Sequence, residues 1–223
     1  MDPQTRSKAY DLLMGAPLIL WFGWGALRQW PDLLWLAAAM RMGAMTLLDG
    51  LKFFALAASV IFNLLLVWLV LVRTIPVRKS RGWLPRLCGV AGTFLGVGIL
   101  QLPARTLGLP TQALADILIF LGAAGSALAL SRLGRSFAIL PEARVLVTGG
   151  VYAHVRHPLY TAEMLTLVGI VIQYQQPWAT LIGIGVVLLQ ILRSIYEEQV
   201  LAEAFPDYAA YQARTWRFVP YLF

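Results

Sequence analysis

Long apolar runs separated by short polar clusters set the plan of this chain. Six segments are apolar over enough length to cross a bilayer: residues about 10–28, 51–72, 87–103, 113–133, 158–174 and 177–196. A hydrocarbon core about 30 Å thick takes roughly 20 residues of helix, so each run predicts one transmembrane helix. Residues 31–49 are apolar as well, but Pro31 and Asp32 open them, Arg41 interrupts them and Asp49–Gly50 closes them. That pattern predicts a helix lying in the membrane interface, with a seventh span as the alternative. The expected fold class is all-α: a polytopic membrane protein of about six transmembrane helices (five to seven) forming one integral membrane domain over residues 1–223.

The fifth and sixth runs are joined by Gln173-Tyr174-Gln175-Gln176-Pro177, a polar turn short enough to force an antiparallel helical hairpin. The hairpin returns residues 193–198 to the neighbourhood of residues 157–160. Those are the two places where unusual polar residues collect, so the pattern predicts a polar pocket at one membrane face.

Composition narrows the picture. Of the 223 residues 59% are hydrophobic and 13% charged, which leaves no room for a separate soluble nucleotide-binding domain. Any cofactor must therefore bind between helices and short loops. Basic residues orient the bundle. Under six spans, fourteen (Arg6, Lys8, Arg73, Arg78, Lys79, Arg81, Arg86, Arg132, Arg135, Arg144, Arg156, Arg193, Arg214 and Arg217) fall on one side and four (Arg28, Arg41, Lys52 and Arg105) on the other. The positive-inside rule then places both chain ends, the loop 73–86 and the segment 134–157 in the cytoplasm. The same topology accounts for the +7 charge without nucleic acid, since no basic run is interleaved with aromatics. The single cysteine, Cys88, has no Cys or His neighbour at metal-ligand spacing and reads as a packing residue; no metal is expected. The polar start MDPQTRSK lacks the form of a cleaved signal peptide, so the first span is expected to be retained.

Three blocks could carry chemistry. In Leu146-Val147-Thr148-Gly149-Gly150-Val151-Tyr152-Ala153-His154-Val155-Arg156-His157-Pro158-Leu159-Tyr160, two glycines permit a tight turn and Pro158 suits the first turn of the fifth helix. The free N–H groups at that helix start favour an anion such as an amino-acid carboxylate, with Arg156, His157 and Tyr160 around it. The plainer reading makes these residues interfacial anchors. In Arg193-Ser194-Ile195-Tyr196-Glu197-Glu198, Arg193 and Glu197 share a helix face, either as a solvated ion pair or as the lining of a site. The tail from Phe205 to Pro220 mixes aromatics with arginines, as a surface anchor or as a lid over the pocket.

The ordered patterns L-V-T-x-G-x-Y-x-x-x-R-H-P-x-Y, R-x-x-x-E-E-x-x-L and F-x-x-Y-x-x-Y, over residues 131–220, resemble the isoprenylcysteine carboxyl methyltransferase family and its phospholipid methyltransferase relatives. Residues 1–110 carry hydropathy alone. The resemblance implies a methyltransferase core at 131–220 that uses S-adenosyl-L-methionine bound from the cytoplasm. It implies cofactor contacts from Leu140, Arg144, Val145, Leu146, Val147, Tyr152, His157, Pro158, Leu159, Tyr160 and Glu197, with Arg193 facing the substrate carboxylate and Glu197 closing the pocket. The loop Phe137–Ala143 is shorter than in the eukaryotic prenylcysteine enzymes, so the resemblance assigns Ile139 and Leu140 by neighbourhood and does not extend to a prenylated-protein substrate. A bacterial inner-membrane enzyme acting on a lipid-like or prenylated small molecule from the bilayer is the expectation, with carboxyl O-methylation first. N-methylation of a phospholipid headgroup, a nicotinamide-dependent membrane enone or sterol reductase, and a non-catalytic protein are the alternatives.

Overall fold

A computed structural model describes residues 3–221, with side chains from Lys8 to Tyr221; Arg6, one of the basic residues counted above, lies outside the described side chains. The elements are α1 (Pro3–Arg41), α2 (Leu47–Val72), β1 (Arg78–Lys79), α3 (Leu84–Phe94) continued by a 3₁₀ segment (Leu95–Gln101), α4 (Leu109–Leu133), β2 (Glu142–Ala143), α5 (Pro158–Tyr174), α6 (Pro177–Ala204) and α7 (Tyr208–Ala213). This is an all-α membrane bundle. Its only sheet among the described residues is the two-residue antiparallel pair β1–β2, which clips the loop after α2 to the loop after α4.

Local chemistry explains the helix ends. Thr46 caps α2 with a reciprocal capping box to Asp49. Prolines occupy the first turns of α3, α4, α5 and α6, where a missing N–H costs nothing. Gln175 takes the left-handed conformation (φ 45°) that turns α5 into α6. α4 and α5 lie closest together because glycines face the partner backbone: a Cβ on Gly169 would stand 2.8 Å from the Ala115 carbonyl oxygen. Large apolar side chains such as Leu20, Trp24, Leu27, Trp68 and Leu188 point outward with more than half their surface exposed, which a soluble fold would bury.

Five helical stretches are long and apolar enough to span a bilayer: 8–41, 47–72, 84–101, 109–136 and 177–204. The remaining run, the fifth, is α5, whose 17 residues make a helix of about 25 Å. The interfacial helix expected at 31–49 is not formed. Residues 31–41 continue α1 through Pro31, where Leu36 and Ala39 extend the buried positions Asp11, Gly15 and Ala26. Gly43 (φ 67°) then breaks the chain, and Thr46–Gly50 start α2.

Polar contacts mark the two ends of the bundle. At one end Asp116 of α4, 2% exposed, accepts from Gln112 and from Gln173 of α5, while Gln176 donates to the Pro103 carbonyl. At the other end Asp11 of α1 binds Arg73 (2.8 Å) and Arg144 (3.0 Å), and Arg144 also binds Glu142 (2.8 Å).

Candidate functional site

The α5–α6 hairpin places its polar residues at this second end. His157, immediately before α5, holds Nε2 3.2 Å from Glu198 Oε1 and Nδ1 3.8 Å from Glu197 Oε2, so its ring lies between two carboxylates. The ring stacks on Tyr160 at 5.3 Å with the planes 5° apart. Tyr160 donates its hydroxyl to Glu197 Oε1 at 2.5 Å, and Arg193 Nε donates to the same oxygen at 3.1 Å. The Arg193–Glu197 pair is therefore buried in the bundle, the Arg193 side chain being 6% exposed, and is not a solvated surface pair. Arg193 also donates to the Ala138 carbonyl and to Thr93 and lies 4.9 Å over the Tyr160 ring. Among the described residues three of the five N–H groups of this guanidinium are used in this way, leaving two.

Glu198 has a different task. It accepts from Arg156 (2.9 Å), Arg217 (2.8 Å) and Gln212, besides facing His157. These bonds fasten the tail, and backbone bonds reinforce them: Arg156 N to the Trp216 carbonyl, His157 N to the Arg217 carbonyl and Trp216 N to the His154 carbonyl. Tyr211 donates to the Tyr152 carbonyl at 2.7 Å. The tail thus forms a wall of the site. Its bond to Glu198 holds the Arg217 guanidinium above its ordinary pKa. Burial pushes the Tyr211 hydroxyl up to about 12 and those of Tyr152 and Tyr208 well above the usual range, so all three are neutral donors near pH 7.

These residues enclose a pocket lined by Val145, Leu146, Val147, Tyr152, His157, Leu159, Tyr160, Arg193 and Glu197, nine of the positions singled out in the sequence. The other three lie elsewhere. Arg144, 3% exposed, is bound to Asp11 and Glu142; Leu140 lines a separate cavity against α1 and α3; Pro158 faces a groove beside Phe218. Leu133, Ser136, Ala138, Glu142, Arg156, Leu201, Tyr208 and Tyr211 complete the lining. A second, apolar cavity of about 330 Å³ lies deeper, between α1, α2, α3, α4, α5 and α6. Leu159, Tyr160 and Arg193 belong to both walls. Glu163 and Gln190 also line the deep cavity, and sequence reading passed over them. The available signal was a lone acid within the apolar run 158–174, since an ionisable group inside a span is costly and marks a site.

The carboxylate of Glu197, the neutral tyrosine hydroxyls and the apolar walls suit a ligand that combines an ammonium or hydroxyl groups with a flat heterocycle. Among the described residues no cluster of His, Cys, Asp and Glu could hold a metal ion.

Residues 106–208 match the family model described as phospholipid methyltransferase. The cobalt-zinc-cadmium resistance protein CzcN of Cupriavidus metallidurans is 31% identical over 113 residues, which make up 48% of this chain and 50% of that protein. That match spans about half the length of each, and the residues 106–208 matched by the family model include most of the pocket lining.

Proposed function

We propose, for a chain whose residues 106–208 match the phospholipid methyltransferase family, that the protein transfers a methyl group from S-adenosylmethionine to an apolar-tailed acceptor drawn from the bilayer, and that the acceptor atom is a carboxylate oxygen. One observation carries this reading: the polar pocket and the deep apolar cavity share Arg193, Tyr160 and Leu159 as a common wall. A cofactor on one side and a lipid chain on the other would meet at Arg193.

S-adenosylmethionine, when bound, supplies an electrophilic methyl on a cationic sulfur. Glu197 and His157 are the residues to hold its polar end, with Val145–Val147, Leu159 and the three tyrosines packing its base. The two spare N–H groups of Arg193 orient a carboxylate without covering the oxygen that must react. Transfer joins an anion and a cation into neutral products, so a site sheltered from water favours it. With the tail docked the pocket encloses about 90 Å³, against roughly 300–1,000 Å³ for typical ligand sites. Loading therefore calls for the Glu198–Arg217 fastening to release and the tail to swing away, which makes the tail a lid.

A second reading, N-methylation of a phospholipid amine, draws on Glu163, whose carboxylate lines the acceptor cavity, and on the family description itself. Label transfer separates them. Membranes holding the wild type, supplied with S-adenosylmethionine carrying a tritiated methyl group, are expected to yield lipid-extractable label that base releases as methanol, and Glu197→Ala membranes none. Base-stable label would move the assignment to the amine. No label, with no binding of the cofactor to purified protein, would overturn both.

A further inference from the structure

Glu163 is half-buried, with its carboxylate on the wall of the deep cavity, inside a helix surrounded by apolar residues. Among the described residues it accepts a single hydrogen bond, from Gln190 Nε2 to Oε2 at 2.9 Å, and it forms no ion pair. Gln190, 4% exposed, leaves its own Oε1 without a partner, as does the hydroxyl of Ser126, 2% exposed, on the facing wall of the same cavity. Such polar groups away from water are costly unless they find a hydrogen-bond partner. Gln190 Oε1 and the open oxygen of the Glu163 carboxylate can only accept and the Ser126 hydroxyl can donate as well as accept, so acceptors outnumber the donors in this cavity.

We infer that Glu163, positioned by Gln190, is the specificity-determining residue of the acceptor cavity, and that it selects an apolar-chain acceptor carrying a hydrogen-bond donor about one helical turn from the atom that takes the methyl group. The inference rests on the reading of this cavity as the acceptor site. The spacing follows from the helices: Gln190 precedes Arg193 by three residues on α6 and Glu163 follows Tyr160 by three on α5, a rise of about 4.5 Å in each case. A group held at Arg193 and a donor held at Glu163 are then about four bonds apart along a lipid chain. A plain hydrocarbon chain would leave Glu163 Oε1 without a donor and bind poorly.

The test is binding, measured on the purified full chain in detergent without S-adenosylmethionine, so that its outcome does not depend on transfer. The probes are tritiated hexadecanoic acid, 5-hydroxyhexadecanoic acid and hexadecylamine. Wild type is expected to bind 5-hydroxyhexadecanoic acid at least about tenfold more tightly than hexadecanoic acid, Glu163→Leu to bind the two equally, and Glu163→Gln to keep part of the preference. Gln190→Leu, which frees Glu163 from its positioning partner, should weaken the preference with the carboxylate still present. Tight binding of hexadecylamine alone, lost in Glu163→Leu, would uphold Glu163 as the selector and overturn carboxyl methylation. Equal binding of both acids by wild type without such amine binding, or a preference that survives Glu163→Leu, would overturn the inference.

Discussion

Replacing Arg193 with lysine keeps a positive charge and removes the fork. Lysine cannot hold Glu197, the Ala138 carbonyl and a ligand carboxylate at once, because its donors radiate from one nitrogen. Arg193→Lys is therefore expected to lower kcat by about 100-fold or more, near 2.7 kcal/mol in the barrier, while the protein still binds S-adenosylhomocysteine in calorimetry. Wild-type turnover in this variant would remove Arg193 from the chemistry. Glu198 calls for a different experiment, since its contacts are with protein cations. Glu198→Gln leaves Arg156 and Arg217 short of their anion, with the Arg156 side chain only 10% exposed. Breaking one partner out of a buried cluster costs about 3–5 kcal/mol, so the thermal midpoint in detergent should fall clearly and the tail should become protease-sensitive ahead of the bundle. An unchanged midpoint and an intact tail would mean that the tail is fastened without Glu198.

The helices differ in how much of them could be read in advance. The hairpin of α5 and α6 was legible because Gln173–Pro177 is polar, short and ends in proline, and its consequence, bringing residues 157–160 to residues 193–198, followed from geometry. The break at 31–49 misled because Pro31 and Asp32 resemble a helix boundary; the burial of Leu36 and Ala39 beyond them in the same helix depends on a neighbour the sequence does not name. The change from α-helix to 3₁₀ at Leu95–Gln101 left no polar mark. In the site, Val145, Leu146, Val147, Tyr152, His157, Tyr160, Arg193 and Glu197 are gathered around one pocket, whereas Arg144 looked equivalent by position and turned instead to Asp11, a residue 133 positions away. Long-range pairing of that kind is invisible to local pattern. The α4–α5 contact supports a prediction of its own. A Cβ on Gly122 would stand 2.3 Å from Thr166 Oγ1 and 2.5 Å from Thr166 N, a backbone atom that cannot move aside. Gly122→Ala should cost about 1–3 kcal/mol and reduce transfer by displacing α5, which starts at the site. Gly23→Ala, with nothing within 4 Å of its added carbon, should be neutral or slightly stabilising in the same melt.

Taken as a bundle, the molecule has two polar ends and an apolar middle, and the path of α5 decides how the chain threads between them. If α5 crosses, helices alternate in direction from α1 to α6, and the pocket, the Asp11 cluster and the tail share one face with the basic loops. If α5 is only a short re-entrant segment, Gln175 would stay on the face where His157 starts. The contacts favour crossing. Gln173 meets Asp116 near the start of α4 and Gln176 meets the Pro103 carbonyl, while His157 meets Glu198 near the end of α6. The two ends of α5 are thus held at opposite ends of neighbouring helices. A helix of about 25 Å can do this across a core of about 30 Å if the bilayer thins or flanking polar groups reach outward. Single cysteines in a Cys88→Ser background test the arrangement through labelling by a membrane-impermeant maleimide in sealed vesicles of known orientation. Cysteines replacing the exposed Arg81 and Arg214 should label from one face, cytoplasmic by the excess of basic residues there, and those replacing Arg105 and Gln175 from the other. Labelling of the Gln175 position from the same face as Arg81, with Arg214 labelled from the opposite face, would show that α6 crosses and α5 does not, and the pocket would then be reached beside a re-entrant helix and not through a bundle of six.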